Sequence, residues 1–125
     1  MKEPMSPAVL ELVAARFRLL SEPTRLRIVQ ALQGGERTVG ELTAMVLSTQ
    51  PNVSKHLKIL LDGGILSRRP VGAVAYYSIV DPVVFRLCEA VCDSLRERAG
   101  AQVALLKTAQ GEVDAQTPRM EGPDW

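Results

Sequence analysis

The chain has 125 residues, enough for one domain with a core of its own and too few for two. Apolar residues make up 46%, charged residues 23% and aromatics 4%, the balance of a globular protein whose core rests on Leu, Val, Ile and Ala. The net charge of +1 excludes nothing by itself. No apolar run approaches the roughly 20 residues of a bilayer span, so no membrane partner is expected. The start MKEPMSP has no apolar segment behind a basic end, and two cysteines without a secretory signal point to reduced thiols in the cytoplasm.

Helical periodicity begins near Ala8, where Val9, Leu12, Val13, Phe17 and Leu20 recur as one buried face should. Ser21-Glu22-Pro23 breaks it, and a second helix starts with Pro23 in its first turn and Leu26, Ile28, Val29 and Leu32 as core positions. Gly34-Gly35 ends that helix. Thr38 then caps a third, with Glu41 as the reciprocal half of a capping box and Val39, Leu42, Met45 and Val46 buried. A short turn at Leu47-Ser48 leads to a fourth helix with Thr49 as N-cap and Pro51 in its first turn. At about 100° per residue Val53, Leu57, Leu60 and Leu61 form its apolar face, and Ile59 falls on the polar side. Gly63-Gly64 stops it.

The period then changes. Ile65–Arg69 is a short extended run, Pro70 to Ala73 make a turn, and Val74–Ile79 is a β-branched and aromatic strand; together they form a hairpin with arginines near its tip. Asp81-Pro82 opens a long last helix, to about Arg98 or as far as Lys107. From Thr108 the composition loses periodicity, so a mobile tail is expected over 108–125 beside one domain over 8–107. The fold class is mainly α with a small β-hairpin, in the order α-α-α-α-β-β-α.

Residues 48–79 carry Lys55, Lys58, Arg68 and Arg69 against Asp62 alone, whereas 80–125 carry five basic and eight acidic residues. A local basic excess can attract a polyanion while the protein stays near neutral, although on charge alone a solvated basic face is the simpler account. Organisation adds to it. The third and fourth helices form a helix-turn-helix, whose second member enters the DNA major groove. The candidate DNA contacts are Thr49, Gln50, Asn52, Ser54, Lys55, His56 and Lys58, with Arg68 and Arg69 on a wing. Asn and Gln suit adenine, and Lys suits guanine or phosphate. For His56, the sole histidine, a DNA contact or a hydrogen bond across the helix-turn-helix is expected rather than catalysis, since no nucleophile or orienting group accompanies it.

The runs LSEPTRLRIVQAL, VGELTAMV and STQPNVSKHLKILLDGGIL with the strand AYYSI resemble the ArsR/SmtB family of bacterial winged-helix repressors over about residues 9–98. The resemblance implies a homodimer paired through the first and last helices, a near-palindromic double-stranded DNA operator, and release by an inducer. Two metal sites known in that family find no match here. Val39 and Glu41 stand at its Cys-x-Cys. Asp81 and Glu97 match the acidic positions of its last-helix site, but Val83 and Ser94 replace the histidines, and two carboxylates alone suit zinc poorly. The wing tip Pro70-Val71-Gly72-Ala73 is apolar where the family's is basic.

Cys88 and Cys92, four residues apart, share a face of the last helix with Val84, Phe85, Val91 and Leu95, the stripe of a dimer interface. Three accounts stand: both thiols pack as small apolar residues, they hold a thiophilic metal or metalloid inducer across the dimer, or they respond to oxidation. Glu89 and Asp93 nearby work against a lowered thiol pKa. No cofactor is required. The expected function is a DNA-binding repressor and not an enzyme. The alternative is a winged-helix protein–protein module, which the apolar tip favours.

Overall fold

The computed structural model describes residues 3–110, and the tail expected from 108 falls, from 111 onward, outside them. The elements in chain order are α1 (Pro7–Leu19), α2 (Pro23–Ala31), a 3-10 turn (Leu32–Gly34), β1 (Arg37–Thr38), α3 (Val39–Val46), α4 (Gln50–Asp62), β2 (Leu66–Val71), β3 (Val74–Ile79) and α5 (Val83–Gln110). Two compact units divide between Phe85 and Arg86.

Local chemistry sets most boundaries. Side chains of Ser6, Glu22, Thr38 and Thr49 each accept backbone N–H bonds at the starts of α1 to α4, and Pro7, Pro23 and Pro51 occupy first-turn positions where no N–H is needed. The expected capping box is present: Glu41 N–H donates to Thr38 Oγ1 at 3.2 Å, and Thr38 N–H to Glu41 Oε1 at 2.9 Å. At the end of α4, Gly64 takes φ +81° and Ile65 N–H donates to Leu60 C=O at 3.0 Å, a Schellman closure that favours glycine.

The wing differs from a simple hairpin. β2 continues through Pro70 to Val71, and the turn shrinks to Gly72-Ala73, with Gly72 at φ +62° and Ala73 at negative φ, a type II′ pattern. Pro70 is tolerated because β2 is an edge strand in the order β1-β3-β2. The third strand, β1, was not expected: it pairs Arg37 with Tyr77 and Thr38 with Tyr76. Two residues are too short to show a period, so only β3's free edge reveals it.

The core gathers Ile28, Val29, Leu32, Leu42, Val46, Val53, Leu57, Leu60, Ile65, Leu66 and Val84, with Leu20 at the end of α1. Here the expected faces are partly corrected. In α1 Val13 is half-buried, while Val9, Leu12 and Phe17 are exposed, Leu12 at 72%. Leu26 and Met45 are also exposed. Helical spacing shows that apolar residues share a face but not that one chain supplies its cover. Ile59, assigned to the polar side of α4, is half-buried.

α1 meets α4 at Gly63, where a Cβ would overlap Leu19 Cδ1 and lie 3.1 Å from its Cγ. Gly63→Ala should therefore cost about 1–3 kcal/mol of stability in urea unfolding. An unchanged midpoint would show that Leu19 does not fill this space.

Candidate nucleic-acid interface

α3 and α4 are joined by a tight turn. Leu47, the C-cap of α3, takes the left-handed conformation (φ 55°, ψ 52°), and its side chain is 90% exposed. A non-glycine residue pays roughly 1–2 kcal/mol for this conformation, so the turn is held by its flanks. Thr49 Oγ1 accepts from Asn52 N–H at 3.3 Å, which starts α4 directly after the turn.

α4 divides by face. Val53, Leu57 and Leu60 are buried, and Thr49, Gln50, Ser54, Lys55 and Lys58 are exposed. Gln50, Ser54 and Lys55 thus stand free on the first turns, where exposed N–H groups and the helix dipole also favour an anion. Asn52 is half-buried, and its Nδ2 donates to Ser48 Oγ at 2.9 Å, so it braces the turn as well as flanking the exposed face. Lys58 pairs with Asp62 at 3.1 Å, both side chains well exposed. Such a pair contributes little to stability and is easily exchanged for a phosphate.

His56 does not point outward. It is 5% exposed, with Nδ1 3.1 Å from Arg25 Nη1 and Nε2 3.6 Å from Glu22 Oε2. Burial removes it from the expected DNA contacts, and its hydrogen bond runs to Arg25 of α2 rather than across the α3–α4 motif as expected. The spacing carried the signal: at about 100° per residue His56 lies roughly 60° from Val53, on Leu60's side of the apolar arc. Arg25 and Glu22 were not singled out from sequence, because nothing local links positions 22 and 25 to 56. Glu22 also caps α2 through Thr24 and Arg25 N–H. Partial burial raises its carboxyl's pKa, but those two backbone bonds and the nearby His56 outweigh this and hold it below the usual range.

The two wing arginines lie on opposite faces of β2, as adjacent strand residues must. Arg69 bonds Glu36 through Nη2–Oε1 at 2.5 Å and Nε–Oε2 at 3.3 Å, and its guanidinium sits 5.1 Å from the Tyr76 ring centroid. The bond to Arg69 holds the Glu36 carboxyl below its usual range. Arg68 is exposed, stands opposite Tyr77, and makes no ion pair among the described residues. The wing tip presents exposed Val71 and Val74.

On α5, Asp81 Oδ1 accepts from Val83 N–H at 2.9 Å, so this carboxylate serves the helix start. Cys88 is half-buried and Cys92 exposed, both free thiols. Burial pushes the Cys88 thiol above its usual range. Among the described residues no three His, Cys, Asp or Glu side chains converge as a metal-ion site, and no helix is long and apolar enough to cross a membrane.

The model of bacterial regulatory proteins of the arsR family matches residues 22–68, from the cap of α2 into β2. A probable mercury resistance operon repressor of Streptomyces lividans is 44% identical over 68 residues, which is 54% of this chain and only 54% of that protein. A transcriptional repressor SmtB homologue of Synechocystis is 36% identical over 95 residues, 76% of this chain and 72% of that protein. Among solved structures, the homodimeric winged helix-turn-helix DNA-binding domain Mb0332 of Mycobacterium bovis superposes with a TM-score of 0.62 at 25% identity, covering 93% of this chain and 100% of that one. The α3–turn–α4 unit, the three-stranded wing and these relatives agree: this chain belongs to the arsR family of bacterial regulatory proteins and is a DNA-binding winged-helix transcriptional regulator, not an enzyme.

Proposed function

We propose that the protein is a cytoplasmic homodimeric repressor whose α4 reads a near-palindromic operator and whose last helix carries the signal that releases it. The observation that carries this is the division of α4, whose apolar residues are buried while Gln50, Ser54 and Lys55 stand exposed on its first turns. Thr49 and Asn52 flank that surface, and Lys58 reaches phosphate by leaving Asp62. Arg68 is the wing cation without an ion pair among the described residues, and Arg69 contributes by keeping the ribbon tied to Glu36. Residues 8–107 act together as the DNA-binding and dimerisation domain. α1 and α5 supply the dimer contact. Exposed Val9, Leu10, Leu12 and Phe17 on α1, and Val91 on α5, are apolar side chains that such a contact would cover.

Cys88 and Cys92 are the candidate inducer ligands. A raised Cys88 pKa means the thiol rests protonated, so a soft ion must displace its proton on binding. The relative named for mercury resistance supports a thiophilic metal or metalloid as the signal. The exposed Val71 and Val74 at the wing tip favour a second reading, a protein–protein module without sequence-specific DNA binding.

Titration against the protein's own promoter fragment should show affinity falling steeply with salt, because Lys and Arg displace counterions from phosphate. Lys55→Ala should weaken binding by about 1–3 kcal/mol. Salt-insensitive binding would favour the protein–protein reading, and full affinity in the Lys55 variant would remove α4's face as the reader. Leu12→Glu should convert dimer to monomer in sedimentation, and a persistent dimer would take α1 out of the interface. Cys88→Ser with Cys92→Ser should abolish release of promoter DNA by arsenite or mercuric ion while leaving repression intact. A double variant that still responds would return both thiols to a packing role.

A further inference from the structure

We propose that Arg25 is a positioning residue for DNA recognition: its guanidinium fork joins the end of α1 to the buried imidazole of α4 and so sets how α4 presents its outer face. This rests on α4 being the element that reads DNA.

Three bonds leave one guanidinium. Arg25 Nε donates to Leu19 C=O at 2.7 Å and Nη2 to Arg18 C=O at 3.3 Å, which satisfies carbonyls at the open C-terminal end of α1. Nη1 lies 3.1 Å from His56 Nδ1. A guanidinium only donates, so Nδ1 must offer its lone pair and the proton of the neutral ring must sit on Nε2. Nε2 in turn faces Glu22 Oε2 at 3.6 Å, too far for a good hydrogen bond but close enough for charge to favour that tautomer. Arg25's own backbone N–H donates to Glu22 Oε1 at 3.3 Å, so the chain of contacts closes on the start of α2. Among the described residues, Glu22, the N-cap of α2, and Arg25 of α2 are the charged side chains in contact with the ring, and α1 contributes backbone carbonyls through Arg25.

The role follows from what the other contacts lack. The other buried residues of α4 are Val53, Leu57 and Leu60, and apolar burial is not directional. It fixes which face of the helix lies inside, but it sets no bond angle that a small roll or slide would break. His56 is the buried polar side chain of α4, and its bond to Arg25 has both distance and angle to satisfy. Ser54 and Lys55 precede it directly in the chain and face the other way. Hydrogen bonds to base edges need placement within about 0.5 Å and 10–20°, so a fixed roll of α4 matters for sequence discrimination more than for general attraction to phosphate. Lysine cannot replace the fork, because one ammonium cannot reach both carbonyls and the ring in the same plane.

The test has two arms. Because the chain has a single histidine, long-range proton–nitrogen NMR reports His56 alone. The free wild-type protein should show the Nε2–H tautomer with Nδ1 as acceptor, and Arg25→Lys should lose the nitrogen shift of a bonded Nδ1. A wild-type ring protonated on Nδ1, or a spectrum unchanged in Arg25→Lys, overturns the assignment without reference to DNA. In the second arm, Arg25→Lys should lose about tenfold or more in affinity for the promoter fragment while affinity for unrelated DNA of equal length changes less than about twofold. The temperature is chosen where circular dichroism shows the variant folded. Equal losses on both DNAs, or none on either, overturn the positioning role. If Arg25→Lys does not fold, His56→Asn, which keeps an acceptor near the Nδ1 position, should bind the promoter about tenfold more tightly than His56→Leu, and equal affinities overturn it. Failure of α4 as the reader is seen separately, as unaltered binding by Lys55→Ala.

Discussion

The burial of Val53, Leu57 and Leu60 against the domain is the constraint on which the rest depends. Each is almost entirely removed from water, and a side chain of this size contributes about 1.5–3 kcal/mol when fully buried. A short helix with one such face has no freedom to turn its other face inward. Gln50, Ser54 and Lys55 are therefore outside because their neighbours are inside. The same burial forces the turn at Leu47 into a left-handed conformation, because only three residues separate α3 from α4 while both keep their apolar sides on one core.

Charge is distributed more sparingly than composition suggests. Of the basic residues in the middle of the chain, Lys58 is answered by Asp62 and Arg69 by Glu36, while Lys55 and Arg68 have no acidic partner among the described residues. Exposed ion pairs are worth little and are screened by salt, so these arrangements act mainly on geometry and on what a phosphate would have to displace. The Arg69–Glu36 pair ties the wing to the segment before β1, as the Arg25–His56 bond ties α4 to α2. Both connect an element of the proposed DNA interface to a part of the fold behind it.

Apolar chemistry left uncovered is equally instructive. α1 has no fully buried residue, and Val9, Leu10, Leu12 and Phe17 are exposed on it. An exposed stretch of this kind on a helix that is otherwise well capped marks a surface built for contact, and it accords with the homodimeric state of the structural relative.

Much of the fold was legible because its signals are local. Caps at Thr38 and Thr49, prolines in first turns and the glycine stop at Gly63-Gly64 each involve residues within one or two turns of each other, and each is where the pattern placed it. The exposed face of α4 follows from the same arithmetic, except that His56 lies buried in the apolar arc and Asn52 and Ile59 are half-buried. What tertiary structure alone decided are the contacts between residues distant in sequence. Arg25 meeting His56, Glu36 meeting Arg69 and β1 completing the sheet depend on how the helices and wing pack, and no spacing rule links positions so far apart. Whether an apolar stripe is covered is likewise a property of the assembled molecule. Periodicity determines which side chains share a face, and only packing decides what lies opposite it.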